Sequence, residues 1–291
     1  MTTVEQEAVA AADTELPRSR RGPAFLVWIA VAWLALLVLA ALFAPLLPLA
    51  DPAQDVGGPR QPPFASLAEP LGTDGLGRSV LSRLVYGARA SLQVGVLAIL
   101  VGLLLGGLIG LLAGYFRKAV DFVIGVVTDA LLAFPGLVLL LAIGAVLGPG
   151  LPTVIIGLAA LSLPMYVRMT RANTLRFTER EFVQAARLTG APASRIITRE
   201  ILPNVIPPLL AYSVVVMASL ITAEAAISYL GIGIMPPTPS WGAMIADGQF
   251  ELARNPQLVF VPAVVLALTV FAFSVVGDWG RARLDVGGAK V

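Results

Sequence analysis

Six long apolar stretches alternate with shorter polar segments along this chain. The first, residues 24–44, holds no charged residue over 21 positions. At 1.5 Å per residue, a helix of that length crosses the roughly 30 Å of a bilayer's hydrocarbon core. It exceeds the roughly 7–15 apolar residues of a cleavable signal, so a membrane anchor is predicted. The other predicted spans are residues 90–114, 122–147, 152–168, 205–230 and 258–277.

Composition supports an all-α integral membrane protein and excludes several kinds of chemistry. Apolar residues make up 57% of the chain and charged residues 13%, well outside the range of soluble proteins. Cysteine and histidine are absent, which excludes disulfides, His/Cys zinc sites and Ser–His nucleophiles. Neither lysine, Lys118 or Lys290, follows a glycine-rich phosphate loop. The chain is therefore predicted to be no enzyme and to hold no cofactor or metal, so any ATP must be hydrolysed by another chain.

The basic residues predict the orientation of the spans. With the N-terminus inside, 15 of the 20 Lys and Arg residues fall on the cytoplasmic side, as the positive-inside rule requires. The predicted parts are a cytoplasmic tail (1–23), a first transmembrane helix (24–50), an extracytoplasmic segment (51–89), a five-helix core (90–280) and a second cytoplasmic tail (281–291). The net charge of +2 is too small to indicate nucleic-acid binding.

The long cytoplasmic segment predicts two short helices joined by an elbow. Thr178 and the Glu181 that follows it at capping-box spacing predict a helix start near Thr178. Gly190 can adopt the left-handed conformation that ends this helix. Pro192 is tolerated in the first turn of a second helix. Pro203 is expected to end that helix, because proline lacks an amide donor.

The residues QAARLTG and ILPN of this elbow resemble the EAA loop of bacterial ABC-transporter permeases. Five residues match at the family's spacing, whereas Gln184 stands where the pattern has Glu and Glu200 where it has Ile. By this resemblance the loop 173–203 couples the chain to an ATPase; the other reading is an amphipathic linker between spans. The residues expected to carry coupling are Gln184, Ala185, Ala186, Arg187, Leu188, Thr189, Gly190, Ala191, Leu202 and Pro203.

A second motif lies just before residue 90. The run GTDGLGRSVLSRLVYGARASL resembles the GTDxLGRDxxSRxxxGxRxSL signature of the second permease subunit of peptide and nickel ABC importers, with Ser79 replacing Asp. Apart from the resemblance, its apolar positions predict a helix at the membrane surface with Arg83 off its apolar face. Residues 231–248, within the outer loop 231–257, resemble the same family's outer segment, and Trp241 is expected near the membrane interface.

Two further groups of residues are candidates for packing or transport. Glycines recur every four residues in the second predicted span, and they predict a groove for close packing against another helix; the alternative is ordinary glycine enrichment. Two carboxylates lie within apolar spans, where a charge costs on the order of 3 kcal/mol. Glu224 either lines a translocation path or is structural, whereas for Asp129 the structural role is favoured. These residues are Gly102, Gly106, Gly110 and Gly114 for packing, and Asp129 and Glu224 for the path.

The chain is identified as a member of the dipeptide, oligopeptide and nickel ABC importer permeases. The resemblance implies the type I importer permease fold, six transmembrane helices and a place in the bacterial cell membrane with both termini cytoplasmic. The implied partners are a second permease in a heterodimer, two ATPase subunits that bind ATP and Mg²⁺, and an extracytoplasmic solute-binding protein. Peptides are the expected substrate class, with glutathione, haem and nickel complexes left open. A proton-coupled secondary transporter that uses Glu224 or Asp129 is the alternative.

Overall fold

The computed structural model describes residues 24–288, where the chain is helical with two isolated β-bridges and no strand. This confirms the predicted all-α membrane class. The helices, numbered here in chain order, are α1 (Ala24–Phe43), α2 (Val80–Phe116), α3 (Lys118–Ala133), α4 (Gly136–Leu147), α5 (Leu151–Thr178), α6 (Glu181–Leu188), α7 (Ala193–Tyr229), α8 (Trp241–Gly248) and α9 (Gln257–Gly288).

Six crossings of the membrane follow from the lengths and directions of these helices. Helices α1, α2, α5, α7 and α9 are each long and apolar enough to span a bilayer, whereas α3 and α4 meet at an angle of 89°. Helices α2 and α5 run parallel, because Gly102 faces Ser162 and Gly114, twelve residues later, faces Thr174. The chain must therefore return between them, and α3 with α4 makes that return.

Glycines bring α2 and α5 into close contact. A Cβ added to Gly106 would lie 2.8 Å from the carbonyl oxygen of Leu163, and one added to Gly114 would lie 2.6 Å from Cβ of Thr174. Neither distance is one that real side chains adopt, so the backbones approach this closely only because side chains are missing. The predicted glycine groove is thus occupied by a helix of the same chain.

The elbow leads into α7 without the break predicted at Pro203. Ala193–Tyr229 is one continuous helix that contains a π-helical turn at Ile196–Ile201. The amide of Leu202 donates to the carbonyl of Ile197, five residues earlier. This wide turn removes the close carbonyl that would clash with the ring of Pro203 in a regular helix. Pro203 therefore lies in the first turn after a π-helical turn and does not end a helix.

Helix α1 packs on the outside of the core, against α9 and α2. The indole nitrogen of Trp33 donates to Oγ1 of Thr269 at 3.2 Å. Its other side presents Phe25, Trp28 and Leu36, which are 63–72% exposed. A helix that is apolar on every side is typical of contact with lipid, so α1 has one face on the protein and the other toward the bilayer.

The predicted surface helix before residue 90 is the first part of α2, which begins at Val80 and continues without a break. Ser79 caps it by accepting a hydrogen bond from the amide of Ser82 at 3.2 Å. Arg83 is 4% exposed, although the apolar pattern had placed it on the polar side. Trp241 is also buried, with its indole nitrogen donating to the carbonyl of Leu84 at 3.1 Å, so its side chain packs inside the protein.

Candidate coupling surface

The elbow begins where α2 and α5 end together. The guanidinium of Arg117 donates to Thr178 Oγ1 and to Glu179 Oε1, each at 3.0 Å. Thr178 itself closes α5, since its hydroxyl donates to the carbonyl of Leu175 at 2.8 Å. The predicted capping box at Thr178 is therefore wrong. Helix α6 begins three residues later, at Glu181, after Arg180 in an extended conformation.

Helix α6 has one buried side and one broad exposed side. Val183 is completely buried against Ile196 and Ile201, which are 1% and 0% exposed. Away from Val183, Phe182 is 42% exposed and Leu188 is 89% exposed. Two large apolar side chains exposed on one short polar helix are typical of a contact surface for another protein. The exposed side also contains Gln184, Ala185, Arg187, Thr189 and Gly190.

Gly190 ends α6 in the left-handed conformation predicted for it, with φ of +76°. The amide of Ala191 then donates to the carbonyl of Ala186 at 3.1 Å, and the amide of Gly190 donates to that of Arg187 at 3.0 Å. Bonds of this kind satisfy carbonyls that the helix end would leave free. The turn fixes the angle between α6 and the chain that leads into α7.

Val183 and Arg187 attach α6 to the transmembrane helices. The guanidinium of Arg187 lies 5.5 Å from the ring centroid of Tyr115, at the end of α2, within the range of a cation–π interaction. Leu202 packs against the core, whereas Pro203 is exposed on α7. The predicted coupling residues therefore form two groups: the surface of α6 with its terminal turn, and the start of the regular part of α7.

Glu224 lies inside the protein and accepts hydrogen bonds from side chains of two helices. It is 1% exposed, and its carboxylate accepts hydrogen bonds from the hydroxyls of Ser91 on α2 and Ser228 on α7, each at 2.7 Å. The same Ser228 oxygen accepts from the amide of Ile234 in the outer loop at 3.3 Å. These contacts favour the structural role among the two that the sequence left open.

Asp129 has the opposite environment. It lies on the exposed side of α3, and its Oδ1 is 2.7 Å from Nη2 of Arg168 on α5. Nothing in the sequence paired these two residues, because 39 positions separate them. Because Asp129 lies within the long apolar stretch 122–147, the sequence indicates neither its depth in the membrane nor the direction in which its side chain points.

Sequence reasoning also missed a cluster of charges at the outer end. Arg83 lies 3.5 Å from Asp74 and 3.3 Å from Asp247, and Arg78 lies 2.7 Å from Asp74. These pairs join the outer segment before α2 to α8. All four residues belong to motifs singled out from the sequence alone, and their opposite charges were the signal that could have predicted a contact.

Comparison with known proteins places the chain. Residues 106–286 match the family described as binding-protein-dependent transport system inner membrane component. The di/tripeptide transport system permease protein DppC of Pseudomonas aeruginosa is 39% identical over 87% of this chain and 85% of its own length. The glutathione transport system permease protein GsiD of Pectobacterium atrosepticum is 38% identical over 76% and 73%.

Solved structures share the fold at lower identity. The inward-facing MetNI methionine ABC transporter is 19% identical and superposes with a TM-score of 0.57, over 69% of this chain and 96% of the transporter chain. An amino acid ABC transporter with histidines, also 19% identical, gives a TM-score of 0.54 over 70% and 94%. These similarities support the type I importer permease fold.

Proposed function

The chain belongs to the family of binding-protein-dependent transport system inner membrane components, and we propose that it imports di- and oligopeptides at the expense of ATP hydrolysed by partner subunits. It is a permease subunit of an ABC importer, and membership of this family sets aside the proton-coupled secondary transporter. Glu224, which that alternative needed as a proton relay, is 1% exposed and bound to two serines.

The coupling role rests on the surface of α6. A contact that transmits movement needs an exposed face for the partner and a rigid attachment to the spans. Leu188 and Phe182 supply the exposed face. Val183, which is 0% exposed, and Arg187, which stacks over Tyr115, supply the attachment. Closure of two ATPases against this surface would move α6 and the ends of α2, α5 and α7 as one body, switching the path between its two orientations.

The distribution of charge and the family of the chain support the remaining assembly. The basic cytoplasmic segments support a topology with both termini and α6 inside, toward ATP. The outer segment and α8, joined by Arg83 and its two aspartates, would form the surface that receives a solute-binding protein. A second permease would complete the path as a heterodimer.

Peptides are the substrate class that the relatives have in common. One is named for di- and tripeptides and another for glutathione, itself a tripeptide. Coverage of most of each relative's length, with the outer segment included, supports transfer of this class to the present chain. Haem and nickel complexes have no counterpart among these two names.

The test is purification of the chain from its native membrane, identification of the subunits that accompany it, and reconstitution of the complex with its binding protein. ATP-dependent uptake of labelled dipeptides, tripeptides and glutathione is expected. Uptake driven by a pH gradient without ATP, or a complex that lacks ATPase subunits, would contradict the proposal. The double variant Phe182→Ala, Leu188→Ala should lose the ATPases, whereas Leu67→Ala, an exposed leucine of the outer segment, should keep them.

A further inference from the structure

An ion pair lies exposed on the spanning part of this chain. Nη2 of Arg168 is 2.7 Å from Oδ1 of Asp129, yet the two side chains remain 59% and 68% exposed. Asp129 follows Lys118, the first residue of α3, by eleven positions, which is about 16 Å along a helix. Arg168 precedes the end of α5 by ten positions, about 15 Å. Both charges therefore lie about three helical turns from the cytoplasmic ends of their helices, at the inner end of the predicted span 152–168, where they must face protein or water rather than lipid.

The break between α3 and α4 gives an independent reason to place water on this side. Ala133, one turn beyond Asp129, is exposed, as are Phe134 and Pro135 at the break. A bend of 89° leaves backbone groups without helical partners. Within a membrane such a break is tolerated only where it is buried in protein or lines a water-filled cavity. The ion pair and the break thus indicate the same aqueous side of the chain.

We propose that Asp129 and Arg168 form a substrate-binding pair of the translocation path, which opens to take the ammonium and carboxylate termini of a peptide. The inference rests on the proposed import of peptides and names the residues that receive them. The peptide's ammonium replaces the guanidinium of Arg168 beside Asp129, and its carboxylate replaces Asp129 beside the guanidinium. No covalent bond is made or broken.

Charge balance explains why this pair favours a zwitterion. A ligand with a single charge can pair with only one member and leaves the other charge without a partner, so the attraction between the two side chains is lost and only half replaced. A zwitterionic peptide exchanges one ion pair for two and leaves neither charge alone. Charge-assisted hydrogen bonds to a guanidinium or a carboxylate are also about twice as strong as neutral ones. The site therefore binds free peptides better than those blocked at one end.

A second ion pair on the same helices supplies a matched control. Nη2 of Arg171 lies 2.6 Å from Oδ2 of Asp121, and these side chains are less exposed, at 40% and 21%. Asp121 lies eight positions nearer the start of α3 than Asp129, about 12 Å along the helix. This pair fastens α3 to α5 near the cytoplasmic end, away from the break.

The experiment compares three forms of one dipeptide in the reconstituted complex: free, N-acetylated and C-amidated. For each peptide, the uptake rate of the variant is divided by the uptake rate of the unaltered complex. Differences in how well the binding protein delivers each peptide then cancel. Asp129→Asn is expected to slow the free dipeptide roughly tenfold to a hundredfold, the effect of one hydrogen bond to a charged group, and to slow the N-acetylated form far less. Arg168→Gln should likewise slow the free dipeptide, and it should slow the C-amidated form far less. Asp121→Asn and Arg171→Gln should leave these ratios unchanged.

Three results would overturn the inference: equal losses for all three peptides, no loss, or dissociation of the second permease, which would mark the pair as a subunit contact. The double variant Asp129→Asn, Arg168→Gln leaves no unpaired charge and keeps both shapes, so it tests selectivity even where a single variant misfolds. It should transport all three forms at similar rates. Failure of the unaltered complex to import any peptide would instead refute the proposed function.

Discussion

Replacement of Gly190 by valine is expected to uncouple ATP hydrolysis from uptake while the spans remain folded. Gly190 has φ of +76°, and a Cβ at this position would meet nothing within 4 Å. The cost is therefore conformational rather than steric: about 1–2 kcal/mol for a side chain in the left-handed region, and at the upper end for a β-branched residue.

The chain can relieve this strain only by giving up the terminal turn. Leaving the left-handed region breaks the 3.1 Å bond from the amide of Ala191 to the carbonyl of Ala186, worth about 0.5–1.5 kcal/mol. Either cost is small for a protein with six spans, so insertion and pairing should continue. Both costs fall on the turn that orients Leu188, which is 89% exposed, so the surface offered to the ATPases should tilt.

The assay measures substrate-stimulated ATP hydrolysis and peptide uptake by the reconstituted complex, with subunit stoichiometry determined on the same sample. Gly190→Asn is the conservative control, since asparagine tolerates the left-handed conformation and should preserve coupling. Gly107→Val is the positional control, because Gly107 on α2 has equally open surroundings without a positive φ and lies away from the elbow and the outer segment. Normal uptake and coupling in Gly190→Val would refute the reasoning and leave the elbow a linker.

Three other predictions test the packing, the buried carboxylate and the topology. Gly106→Leu should abolish folded protein in detergent extracts because α5 leaves no room for a side chain. Gly107→Leu should give normal yields, since a Cβ at Gly107 meets nothing within 4 Å. Equal yields of the two variants would contradict the close packing. Glu224→Gln should keep thermal stability and uptake, whereas Glu224→Leu should lower the free energy of unfolding by about 1–3 kcal/mol per unpaired buried group; selective loss of uptake in Glu224→Gln would instead place it on the path. In intact cells an impermeant thiol reagent should label Ser66→Cys and not Ser194→Cys, both exposed positions in a chain without cysteine, and the reverse pattern would invert the topology.

The spans could be predicted from the sequence because membrane insertion depends on a sum of local terms. Each apolar residue adds its own transfer free energy, so residues 24–44 predict a span that α1 (Ala24–Phe43) confirms. Gly190 could be predicted for a similar reason, since its left-handed backbone is a local requirement of the helix end. Spacing alone also showed that Gly102, Gly106, Gly110 and Gly114 lie on one face.

Local rules failed where the neighbouring structure altered the backbone hydrogen bonds on which each rule depends. Proline breaks a regular helix, yet Pro203 follows a π-helical turn at Ile196–Ile201 that gives its ring room. Thr178 and Glu181 have capping-box spacing, but the hydroxyl of Thr178 is already bonded to the carbonyl of Leu175 in the preceding helix. Both outcomes depend on which backbone groups are free, and only the folded chain determines that.

Partners distant in sequence were decided by tertiary structure alone. The sequence left the role of Glu224 open and favoured a structural role for Asp129, but Glu224 is enclosed by Ser91 and Ser228 and Asp129 pairs with Arg168 in the open. The free energy of a charge in a membrane depends on what faces it far more than on its own chain neighbours. The sequence therefore determined that two carboxylates enter the membrane, and the packing of α2, α3, α5 and α7 decided which one is structural and which one is exposed.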